Sequence, residues 1–124
     1  MDAEELKRRT KKFGLDVIGL VESLPSTQTG KVIGNQLLRS ALSVGANYRA
    51  ACRGRSKADF ISKVGITIEE TDESQHWLET LGDAGLAQQG KLKPLIKEAD
   101  ELVAILAASA KTARANLNRQ SQAK

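Results

Sequence analysis

Only two prolines, Pro25 and Pro94, interrupt this chain, and between them apolar side chains return every three or four residues. That spacing puts one side chain per turn on a common face of an α-helix. From Asp2 to Leu24, Leu6, Phe13, Val17, Leu20 and Leu24 share such a face, and Pro25 closes the segment, because the residue before a proline is pushed out of the α region. Ser26 to Thr29 then offer capping oxygens for a second helix. That helix is predicted over 27–53. Ile33, Leu37, Ala41, Val44, Tyr48 and Ala51 form its stripe, widened by Leu38, Leu42 and Gly45. Gly54 is expected to end it in the left-handed region.

A third helix, 56–82, opens at Ser56-Lys57-Ala58-Asp59, which has the spacing of a capping box in which the carboxylate reaches back. Its inner face is read as Phe60, Val64, Ile68, Thr71 and Leu78, with Ile61 and Leu81; Gly82 and Gly85 terminate it. The fourth, 92–119, starts with Pro94 in its first turn, where a missing N–H costs nothing. Leu92, Leu95, Ala99, Leu102, Leu106, Ala110, Ala113 and Leu117 line one side of it. Four long helices on short loops predict an all-α, antiparallel up-down-up-down four-helix bundle, a single domain over 1–124. Aromatics at 3% argue against a β-sandwich, which is built from aromatic and β-branched side chains.

One cysteine (Cys52) and one histidine (His76) exclude a disulfide framework and a Cys/His zinc site within one chain. Glu73-Ser74-Gln75-His76 has the Glu-x-x-His spacing of carboxylate-bridged metal bundles, but it occurs once where two copies are needed. No glycine-rich phosphate loop is present, and no nucleophile stands at motif spacing beside His76, which sits one turn from Glu73 and Glu79. The expectation is no catalytic residue, no metal and no cofactor: not an enzyme. The first residues lack the basic and apolar regions of a signal peptide, and no apolar run spans a membrane. With a lone cysteine, this points to the cytoplasm.

Charge is segregated. Between Glu22 and Asp59 every charged residue is basic: Lys31, Arg39, Arg49, Arg53, Arg55 and Lys57. From Asp59 to Asp83 there are seven acids and one lysine. A hairpin turning at Gly54-Arg55 brings together residues whose numbers total about 110. Arg39 then lies level with Thr71, within reach of Glu70, Asp72 or Glu73, as a structural ion-pair partner. Gly45 lies level with Gly65, where two missing side chains would let backbones approach. Gly45→Leu should therefore disrupt packing, while Gly30→Ala should be tolerated. Mutual neutralisation across the hairpin is the simpler account of the charge. The alternative leaves Arg49, Arg53, Arg55 and Lys57 free for phosphate, with Arg49 the one most exposed to capture by an acid. Lys7, Arg8, Arg9, Lys11 and Lys12 read as a solvated face of the first helix. No aromatic residues interleave with these cations, so base stacking is not indicated. The width of the helix-two stripe leaves an apolar edge that predicts a homo-oligomer.

The run Gln36-Leu37-Leu38-Arg39-Ser40-Ala41-Leu42-Ser43-Val44-Gly45-Ala46-Asn47-Tyr48-Arg49-Ala50 resembles the signature of the bacterial four-helix-bundle proteins named for intervening sequences in 23S ribosomal RNA genes. Arg53 to Phe60, Glu70 to Ser74, Trp77 to Glu79 and Lys97 to Leu102 continue the resemblance. His76 departs from it, since tyrosine often precedes the tryptophan in that family. The resemblance implies a ring-shaped homo-oligomer, commonly a pentamer. Arg39, Ser43, Asn47, Glu70 and Glu73 are read as structural polar or ion-pair residues, with a site as the alternative for the motif residues Arg39, Ser43, Asn47 and Glu70. The accessory variability protein of diversity-generating retroelements is similar, and binds a reverse transcriptase and nucleic acid. The reading is a non-enzymatic homo-oligomeric adaptor that binds RNA or DNA, or a nucleic-acid enzyme, through basic helix-two surface. Its alternative is a structural or protein-interaction module whose charges are used up by pairing.

Overall fold

Each helix begins where a side-chain oxygen takes up a free N–H or where a loop carbonyl does so. A computed structural model describes residues 1–122. Among them are four helices and no strand: α1 (Ala3–Glu22), α2 (Gln28–Cys52), α3 (Lys57–Asp83) and α4 (Gln89–Gln122). Asp2 accepts from Glu5 N at 2.8 Å, Thr27 from Gly30 N at 3.0 Å and Ser56 from Asp59 N at 3.1 Å. Such caps contribute about 1 kcal/mol each. Asp59 does not complete a capping box on Ser56. Its carboxylate takes Lys63 Nζ at 2.9 Å and the Arg55 backbone, and the Lys63 bond above all holds its pKa below the usual value.

The helix ends differ from expectation in two places. Gly54 is not left-handed; among the described residues the only positive φ is at Gly85, +69°. There Leu86 N reaches Leu81 O (2.9 Å) and Gly85 N reaches Gly82 O (3.1 Å), a Schellman motif that leaves Gly82 inside α3. Gly54 instead sits where space is tight, since a Cβ there would lie 2.8 Å from Asp59 Oδ2 and 3.0 Å from Ala51 O. The second difference is α4, which starts at Gln89, three residues earlier than the sequence predicts. Pro94 is therefore in its second turn, and one intrahelical bond is missing there. The last turns of α4 continue past Arg119 to Gln122.

The apolar stripes of α1, α2 and α4 are buried nearly as read: Leu6, Phe13, Val17 and Leu20; Ile33, Leu37, Ala41, Val44, Tyr48 and Ala51; Leu92, Leu95, Ala99, Leu102, Leu106 and Ala110. Each large side chain among them contributes about 1.5–3 kcal/mol by leaving water. Helix α3 is different. It buries Val64, Thr67, Thr71, Ser74, Leu78 and Leu81, while Phe60 and Ile68 are half-buried. Thr67, Thr71 and Ser74 satisfy themselves on the carbonyls of Lys63, Thr67 and Glu70, so small polar residues fill a helix–helix seam without an unpaired group. Ser74 Oγ also lies 2.9 Å from Ser40 Oγ of α2.

Consecutive helices pack on one another, as in a bundle, and α1 meets α4 more sparsely. Partner numbers run in opposite order between α1 and α2: a Cβ on Gly45 would meet Lys11, one on Gly14 would meet Leu42, and one on Gly34 would meet Val21. Gly45 thus faces the backbone of α1, at 3.2 Å from Lys11 Cα, and not Gly65, which has nothing within 4 Å. The hairpin register is close to the one predicted, but the rotation of α2 about its axis aims Gly45 at the other neighbour. Gly30 is also more constrained than its place in the sequence suggests, since an added Cβ would fall 2.6 Å from Pro25 O.

Candidate nucleic-acid interface

The hairpin puts the charged residues of α2 in two environments. Arg39 sits mid-helix and is claimed by α3: Glu70 accepts from it at 3.3 Å, and Glu73 takes its other nitrogen. Glu73 also accepts from Trp77 Nε1 at 3.0 Å. Ser43 and Asn47 follow Arg39 at successive turns and bond back along their own helix, Ser43 Oγ to Arg39 O (2.7 Å) and Asn47 Nδ2 to Ser43 O (2.9 Å). With Glu73 turned toward Arg39 and Trp77, His76 has only the tryptophan edge as an aromatic neighbour, at 4.9 Å between centroids.

Arg49, Arg53, Arg55 and Lys57 lie at and beyond the end of α2, where α3 has presented only Asp59, itself bound to Lys63. All four are exposed, and among the described residues none forms an ion pair. Neutralisation across the hairpin is therefore confined to Arg39. The physical reason is distance along the helix. No acid occurs in α3 between Asp59 and Glu69, so beyond Asp59 the C-terminal half of α2 meets no carboxylate from α3. Arg49, of the four the one most open to capture by an acid, is in no ion pair among the described residues either.

More cation gathers at the same end than the α2 sequence shows. One cavity is lined by Leu6 of α1, Tyr48 of α2, Lys57 and Phe60 of α3, and Thr112 and Asn116 of α4, so the start of α1, the α2–α3 turn and the last turns of α4 share one pole. Beyond Glu101, α4 carries no acid, while Lys111, Arg114 and Arg119 are exposed. The acids of the pole are Asp59, bound to Lys63, and those opening α1, where Asp2 caps the helix, Glu4 pairs with Lys7 at 2.6 Å and Glu5 is exposed. An acid-free stretch read together with the helix register was the signal that locates these α4 residues. In the wall of the pole, burial first and then the neighbouring Cys52 push the Tyr48 phenol well above its ordinary pKa.

One member of the α1 basic run is half-buried and paired across the bundle. Arg9 bonds both oxygens of Glu98 at 2.7 Å and Glu101 at 3.1 Å, joining α1 to α4. The bond to Glu98 raises the pKa of its guanidinium. Lys12 pairs with Asp16 within α1. Spacing along α1 gave no sign that Arg9 differs from Arg8, because its partners lie about ninety residues away.

The description "23S rRNA-intervening sequence protein" belongs to a family model that matches residues 4–108. A solved structure from Bacteroides thetaiotaomicron, described as a protein with unknown function from the S23 ribosomal protein family, superposes with a TM-score of 0.83 at 30% identity. That match covers 90% of this chain and 99% of the other. No curated protein matches. No helix among the described residues is long and apolar enough to cross a membrane.

Proposed function

The chain belongs to the 23S rRNA-intervening sequence protein family, and from that premise we propose that it is a cytoplasmic, non-enzymatic adaptor. In this reading it is an antiparallel up-down-up-down bundle that assembles with copies of itself. It binds the phosphate backbone of RNA or DNA, alone or held by a nucleic-acid enzyme, through Arg49, Arg53, Arg55 and Lys57. The observation that carries the reading is the unpaired state of these four cations beside an Arg39 that is fully engaged. Phosphate contacts from such residues are sequence-independent and weaken as salt rises, because binding releases counterions from the nucleic acid. Assembly repeats the pole on every copy, so weak contacts add by avidity. The similarity of the motif to the accessory variability protein of diversity-generating retroelements supports the same reading.

The experiment is a filter or mobility-shift assay with a short RNA and a DNA duplex, at low and moderate salt. It compares the wild type with Arg53→Glu/Arg55→Glu, after checking that the variant is folded and keeps its mass. Loss of binding in the variant, with steep salt dependence in the wild type, is the expected result. Unchanged affinity removes the patch. No binding by the wild type at low salt rejects nucleic acid and leaves the protein-interaction module. One feature favours that second reading: a groove between α1 and α2 that is apolar at Leu15 and Leu42 and cationic toward Lys7 and Arg49.

A further inference from the structure

Glycines at the α1–α2 seam draw the two helices together and leave a groove of about 460 Å³ on the outside of the pair. Its walls are unlike the rest of the surface. Leu15 and Leu42 stand at one end, 55% and 48% exposed, among the few large apolar side chains turned to solvent. Lys7, Lys11 and Arg49 stand at the other. Lys11 and Arg49 have no acid partner among the described residues, and Lys7 meets only Glu4 of its own helix. Spacing along α1 sets the scale. Leu15, Lys11 and Lys7 are four residues apart, so apolar contact gives way to positive charge over about 12 Å. An occupant must be apolar at one end and anionic at the other.

The chain carries such a surface itself. On the outer face of α3, Ile66 is 42% exposed, and Glu69 and Asp72 follow at three-residue steps, both exposed and in no ion pair among the described residues. Ile66 to Asp72 spans about 9 Å, within reach of long lysine side chains in a groove of about 12 Å. Gly65 belongs to the same face. A glycine inside a helix costs about 1 kcal/mol relative to alanine, and nothing within 4 Å of its missing Cβ requires one here. A surface that another helix must approach closely supplies the reason. Helices α1 and α3 are not neighbours, so groove and ridge lie on different sides of one molecule and cannot satisfy each other within it.

We infer that the α1–α2 groove is the seat for the outer face of α3 from a second copy of this chain, with Ile66 against Leu15 and Leu42, and Glu69 and Asp72 toward Lys11 and Lys7, leaving Arg49 at the groove's end for phosphate. This rests on the homo-oligomeric reading above and names the surfaces that would be joined. The contact is head-to-tail. Every copy offers one groove and one ridge, so it propagates and closes into a ring where the rotation allows.

The test is light scattering at micromolar concentration on the wild type, Lys11→Glu, Glu69→Lys and Lys11→Glu/Glu69→Lys, with circular dichroism to establish folding. Both substituted positions are exposed, so the bundle should survive each change. Each single variant is expected to weaken assembly at least tenfold. The double variant restores it, because the swapped charges meet again across every interface. Gly65→Gln, which adds bulk without charge, should also weaken it. Single variants of wild-type mass, or a double variant no better than the singles, overturn the interface while leaving an oligomer in place. So does a Gly65→Gln chain that assembles normally. A wild type that is monomeric overturns the oligomeric reading with it. Loss of RNA binding by Lys11→Glu at unchanged mass assigns the groove to nucleic acid and overturns the inference.

Discussion

Replacing Gly45 by alanine should lower stability, although alanine is the better helix former. The added Cβ would lie 3.2 Å from Lys11 Cα, 3.3 Å from Lys11 N and 3.4 Å from Thr10 O. All three are backbone atoms of α1, so no side chain can swing away, and relief requires α1 and α2 to part by a few tenths of an ångström along their length. Overpacking of this kind costs about 1–3 kcal/mol, against a propensity gain of up to about 1 kcal/mol. Gly19 is the control. It is also interior to a helix and exposed, and has nothing within 4 Å of its Cβ position. Gly19→Ala collects the same propensity gain with no clash. The difference between the two variants is therefore the overpacking alone. An unfolding entropy of about 2.1 cal/mol/K per residue converts 1 kcal/mol to roughly 4 °C for 124 residues. Gly45→Ala should melt about 4–12 °C below Gly19→Ala, at equal concentration and with the assembled mass checked, since association also shifts the midpoint. Gly45→Leu should fall further. Equal midpoints, or Gly45→Ala the higher, would show that α1 and α2 do not approach as closely as described.

Arg9→Met should cost roughly 1–2 kcal/mol in urea unfolding, a charge-assisted pair discounted for its partial exposure, while Arg8→Met, one residue away and exposed, should stay within about 0.5 kcal/mol. In a Ser40→Ala and Ser74→Ala cycle the second substitution should cost less than the first; additive costs would deny the hydroxyl contact. Gly85→Ala should lose about 1–2 kcal/mol from strain at φ +69°; a neutral result contradicts the left-handed cap. Tyr48 is an acid whose folded pKa is raised. Its contribution is whole below the unfolded value near pH 10 and declines above it by about 1.4 kcal/mol per pH unit. Tyr48→Phe should remove that part of the alkaline slope in denaturation curves taken from pH 9 to 11.5, and identical slopes would reject it.

The sequence alone determined the four helices and most of what they bury. Period and punctuation are local properties: stripes such as Ile33 to Ala51, caps at Asp2, Thr27 and Ser56, and Pro25 beyond the end of α1 act within a few residues of themselves. The pairing of Arg39 with Glu70 and Glu73 was legible for the same reason, because a short turn fixes the height of one helix against the next. Rotation about a helix axis is not local. It depends on which neighbours each helix acquires, and it turned Gly45 toward Lys11 and left Gly65 facing outward. Pro94 and Gly54 misled because each residue serves in more than one setting, a first turn or a second, a left-handed bend or a tight approach. Which cations stay free was likewise a tertiary decision. Arg9 and Arg8 are equivalent along the chain, and only packing against α4 distinguishes them. Arg49 to Lys57 stay unpaired, and Lys111 and Arg114 join their pole, because helices far apart in sequence end at the same place in space.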